Sequence, residues 1–84
     1  MEYRLLVAIE VVEFLERLPQ GVRRALRNAI AAIGLDPTAC SDAEDRDETG
    51  RILHIAVMGE FALVYWIDDA DRHIKILDVH SADR

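Results

Sequence analysis

Arg51-Ile52-Leu53-His54-Ile55-Ala56-Val57, Phe61-Ala62-Leu63-Val64-Tyr65-Trp66-Ile67 and His73-Ile74-Lys75-Ile76-Leu77-Asp78-Val79 decide the fold. All three are rich in β-branched and aromatic residues, and each reads as a strand. The breaks between them are short: Met58-Gly59-Glu60, then Asp68-Asp69-Ala70-Asp71-Arg72. Breaks of this length join antiparallel neighbours, because parallel neighbours need a crossover of a dozen or more residues. The middle strand sorts by alternation. Phe61, Leu63, Tyr65 and Ile67 share one face, which we assign to the core; Ala62, Val64 and Trp66 share the other.

The first half of the chain has a different period. Tyr3 to Ala8 is a short apolar run that fits a buried strand, although length alone does not separate it from the start of a helix. From Glu10 to Leu18, the residues Val11, Phe14, Leu15 and Leu18 fall on one helical face. Pro19 ends that helix, since it has no N–H and clashes with the preceding turn. A second helix is predicted from about Val22 to Ile33, with Val22, Leu26, Ala29, Ile30 and Ile33 as its apolar stripe. Gly34 is its expected stop, and Pro37 prevents resumption. The predicted fold class is α+β: one strand, two antiparallel helices, then a three-stranded antiparallel meander. The helices pack on one face of the sheet, and the first strand joins it. No repeat or linker divides residues 1–84, so one domain is expected.

The chain has 84 residues, half of them apolar, and a formal charge of −6. The charge is uneven. Residues 1–35 carry five Arg and four Glu; residues 36–48 carry six acids and one Arg; residues 49–84 carry six acids and four bases. Residues 38–49 lack apolar periodicity and read as a solvated acidic loop. Outside that stretch the chain is nearly neutral, and tight nucleic-acid binding rests on an excess of Lys and Arg. The single cysteine, Cys40, excludes an intrachain disulfide and fits a reducing compartment. No apolar run is long enough to cross a bilayer. Met1-Glu2-Tyr3-Arg4 does not look like a secretory signal, so a cytoplasmic protein without membrane contact is expected.

Leu18-Pro19, Asp36-Pro37 and Gly59-Glu60-Phe61-Ala62-Leu63-Val64-Tyr65 occur in an order that resembles the RelE/ParE toxin superfamily of bacterial toxin–antitoxin modules. That resemblance covers nearly the whole chain and implies the same α+β architecture. It implies a cognate antitoxin as partner. It also implies one of two activities: ribosome-dependent mRNA cleavage, or ParE-like poisoning of DNA gyrase by binding. The family's middle strand opens with Gly-x-aromatic-Arg; this chain has Ala62 where that Arg stands. Its last strand tends to end in Arg or His with a nearby Tyr. Here the stretch is His80-Ser81-Ala82-Asp83-Arg84, without Tyr. A methyl group offers no hydrogen bond and no charge to a phosphate, so both departures count against cleavage.

Chemistry-bearing residues remain. His54 and His80 are candidate acid and base, and Arg51 and Arg84 candidate phosphate holders, for a rearranged mRNA endonuclease. The plain alternative is that both histidines are ordinary strand residues. Asp78 and His80 share a strand face, with His54 or His73 near in type, yet no fixed multi-ligand spacing marks a metal site. Neither metal nor cofactor is expected. Arg23, Arg24 and Arg27 form a basic ridge on the second helix, either a solvated face or a partner contact. Val64 and Trp66 place an apolar patch on the open strand face, where an antitoxin, or a second copy in a homodimer, would cover it.

Overall fold

The computed structural model describes residues 3–82. Its elements run β1 (Arg4–Val7), α1 (Ile9–Glu16), α2 (Gln20–Leu35), β2 (Ala43–Arg46), β3 (Ile52–Met58), β4 (Phe61–Asp68) and β5 (His73–Ser81). The five strands form one sheet in the order β1-β5-β4-β3-β2. β1 runs parallel to β5, and every other pairing is antiparallel. The α1–α2 pair supplies the crossover that a parallel β1 requires.

The expected meander is present with one strand more. β2 lies in the segment read as a solvated loop, where it pairs with β3 from Ala43↔Ile55 to Arg46↔Ile52. It is exposed throughout and acidic, so it carries no burial pattern to announce it. Backbone pairing to β3 and the turn around Asp47 hold it. Asp47 Oδ1 accepts from Thr49 Oγ1 at 2.7 Å and from the N–H groups of Thr49 and Arg51. An exposed, charged edge strand also resists pairing with foreign strands.

Gly34 does not stop α2, which runs through it to Leu35. The Gly34 backbone packs on the Leu5 side chain; a Cβ there would lie 3.5 Å from Leu5 Cδ2. The stop comes from Asp36-Pro37, because the residue before a proline avoids helical backbone.

The core forms on one face of the sheet. Val11 and Leu15 of α1 and Leu26, Ile30 and Ile33 of α2 pack with Ala56, Leu63, Tyr65, Ile74, Ile76 and Val79. Phe61 and Ile67 pack against its edge, so the Phe61 face of β4 is the core face, as alternation predicts. Phe14 meets Phe61 edge-on at 6.1 Å between centroids. The hairpin β3–β4 closes through Gly59-Glu60, between the paired Met58 and Phe61. Gly59 has φ +62, a conformation that a two-residue hairpin turn needs and that glycine supplies without steric cost. A bulge at Val64/Tyr65 inserts Leu77 into β5. It restores Val79 to the core face after Ile74 and Ile76. No helix among the described residues is long and apolar enough to cross a membrane.

Candidate functional site

Among the described residues the opposite face of the sheet carries no helix. On β4 it presents Ala62, Val64 and Trp66. Cross-strand partners share a face, so Ile55 (opposite Val64) and Val57 (opposite Ala62) lie there too. None of these belongs to the buried core cluster. Val57 is 52% exposed, while Ile55, Val64 and Trp66 are half-buried among their neighbours. The result is a continuous apolar strip across β3 and β4.

Trp66 is the centre of a small electrostatic assembly. The Arg51 guanidinium carbon lies 4.4 Å from the Trp66 ring centroid, and Lys75 Nζ lies 4.8 Å from it. Cations near an aromatic ring are held by its quadrupole. Each cation is also held by an acid: Arg51 Nε by Asp47 Oδ2 at 2.6 Å, and Lys75 Nζ by Asp68 Oδ2 at 3.4 Å. Thr49 and Arg51 both donate to Asp47, and together they hold its carboxyl well below the usual carboxylate range. Register brings these residues together: Trp66 faces Lys75 across β4–β5. Sequence reading did not single out Lys75, and its contact with Trp66 follows from strand register.

The three catalytic candidates among the described residues, Arg51, His54 and His80, are not brought together. Arg51 is engaged by Asp47 and Trp66. His54 sits on the helix side, stacked on Tyr65 with centroids 5.4 Å apart, its Nδ1 2.8 Å from Ser41 Oγ. His80 lies on the open side opposite Ala62, exposed, with Nδ1 3.4 Å from Asp78 Oδ2. The two imidazoles therefore occupy opposite faces of the sheet. Arg84 lies outside the described residues. Ala62 is buried, at 4% exposure, so its position on the open side offers neither charge nor room.

Sequence reading missed the interior polar network beneath His54. Tyr65 is fully buried, and its hydroxyl donates to Pro37 O at 2.5 Å. Burial pushes the Tyr65 phenol up to about 12. This bond ties the segment after α2 to the middle of the sheet. Ligand atoms of Asp68, Asp71 and His73 also lie within 4.8 Å of one another at the β4–β5 turn. Asp68 already accepts from Asp71 N–H at 3.3 Å and pairs with Lys75, which makes the cluster a closed turn. Arg24 and Arg27 are exposed and Arg23 is half-buried, all three on α2.

No family model and no curated protein matches the chain. Solved structures do match its fold. The archaeal RelE–RelB complex from Pyrococcus horikoshii superposes with a TM-score of 0.83 at 24% identity, covering 100% of this chain and 99% of that one. The toxin–antitoxin complex RelBE2 from Mycobacterium tuberculosis gives 0.80 at 22% identity, over 96% and 99%. The isolated E. coli RelE toxin gives 0.75 at 16% identity, over 98% and 86%. The chain thus has the RelE fold over its full described length.

Proposed function

We propose that this chain is the toxin-like component of a type II toxin–antitoxin module and acts by binding a protein, with weak or absent ribosome-dependent mRNA cleavage. The observation that carries this reading is the open sheet face. Its centre is Ala62, Val64 and Trp66, and the two cations beside Trp66 are already paired with acids. Cleaving RNA requires free cations at the crowded phosphate and an acid and base on one side of it. An apolar strip with a half-buried tryptophan instead suits a protein partner. The Pyrococcus and Mycobacterium relatives in fold are toxins in complex with their antitoxins. By that analogy a cognate antitoxin covers Val64 and Trp66 here, and Arg23, Arg24 and Arg27 form a second contact. A gyrase-like protein is the expected target class.

The test is controlled induction in a bacterial host, with pulse labelling of protein and DNA synthesis. Growth arrest with DNA synthesis failing first is the expected result. Arrest with protein synthesis failing first would restore the endonuclease reading. Normal growth with folded protein present would leave a non-toxic interaction domain on the same scaffold.

A further inference from the structure

A cavity of about 190 Å³ opens between β1, α1 and α2, lined by Val7, Val12, Leu15, Arg27 and Ile30. Four of its five lining side chains are aliphatic, and Leu15 and Ile30 are themselves buried. Small-molecule sites run to roughly 300–1,000 Å³, so this one is sized for a side chain. Its one polar wall is Arg27, which is exposed. Arg23 and Arg24 lie four and three residues earlier on α2, on the same side of the helix one turn away. Among the described residues none of the three makes an ion pair. Three neighbouring guanidinium groups repel one another, and an outside anion relieves that repulsion.

We infer that this groove takes an aliphatic side chain of a partner segment whose adjacent residues are acidic. The aliphatic anchor fills the cavity, and its flanking carboxylates pair with Arg27, Arg23 and Arg24. Arg forks match carboxylates in two-point geometry, which sets direction as well as charge. The inference rests on the reading of this chain as a partner-binding module, and it adds the chemistry of the partner. An acidic peptide fits better than nucleic acid, because the groove is lined by aliphatic side chains and takes an aliphatic anchor, which nucleic acid does not carry.

The test uses methyl-resolved NMR of the whole chain. The probes are two synthetic helical peptides with the same leucines, one flanked by glutamates and one by lysines, and a single-stranded RNA oligonucleotide. The glutamate peptide is expected to shift the methyl signals of Val7, Val12, Leu15 and Ile30. Its Kd should be about tenfold or more below that of the lysine peptide, or about 1.4 kcal/mol. Arg27→Gln should weaken the preference, and Arg23→Glu, Arg24→Glu and Arg27→Glu combined should reverse it; signal dispersion in each variant reports that the fold is kept. Equal binding of both peptides, shifts confined to Val64 and Ile55, shifts from RNA alone, or no shifts would each overturn the inference. Growth assays decide the toxin reading separately, so either can fail without the other.

Discussion

Arg51 lies over the ring of Trp66, with 4.4 Å from guanidinium carbon to ring centroid, and is held there by Asp47. A residue just before β3 thereby braces a side chain near the end of β4. Removing the cation should loosen the tryptophan. Arg51→Ala is expected to cost about 0.5–1 kcal/mol, the range for a cation–π contact at a surface. Trp66 is the only tryptophan, so a change in its emission reports the loss directly. Unchanged emission and stability would show that the contact contributes nothing.

Asp47 gives this brace a pH dependence. Its carboxyl titrates below the ordinary value because Thr49 and Arg51 donate to it. A depressed folded pKa adds stability above the unfolded value near 3.8, and that stability is lost as pH falls through the folded value. Stability followed by Trp66 emission should therefore fall on acidification below about pH 4, and in Asp47→Asn that fall should be shallower. An identical acid transition in that variant would refute the assignment.

Tyr65→Phe isolates the buried hydroxyl. It leaves the ring in place and strips Pro37 O of its donor. A loss of about 1–2 kcal/mol is expected in urea unfolding. The alkaline limb should change as well. The phenol of Tyr65 is raised to about 12, so its contribution is full below the unfolded value of 10 and disappears as pH rises through 12. Tyr65→Phe should flatten stability between those limits.

Gly59→Ala tests the hairpin turn. Its Cβ meets nothing within 4 Å, so any cost comes from the positive φ alone. The expected loss is about 1 kcal/mol. Gly21→Ala, inside α2 and equally open, should instead stabilise by up to about 1 kcal/mol. Equal effects at the two positions would contradict the backbone assignment.

Val64→Glu tests the open face. Val64 lies outside the core cluster but is half-buried and opposite Asp78, so a modest loss in urea unfolding is expected. Growth arrest on induction should be lost, because a carboxylate in an apolar contact must be desolvated. Full toxicity in a folded Val64→Glu protein would remove this face from the proposed mechanism.

Most of the architecture was legible in local pattern. Period-two alternation separated Tyr65 from Trp66, and a helical stripe picked out Leu26, Ile30 and Ile33. Pro19 and Asp36-Pro37 set helix limits through backbone sterics. Two readings failed for one reason. β2 and the last turn of α2 are held by contacts that local sequence does not encode: pairing to β3, and packing of Gly34 on Leu5.

The sequence by itself determined the strand and helix periods, the acidic balance and the alanine at position 62. These are properties of neighbouring residues. Tertiary structure alone decided that His54 and His80 stand on opposite faces, because a face depends on how a strand is set in the sheet. It also decided that Arg51, Trp66 and Lys75 meet, since strand register brings distant residues into contact. The cavity under Arg27 exists only where β1, α1 and α2 converge, and no single segment carries it.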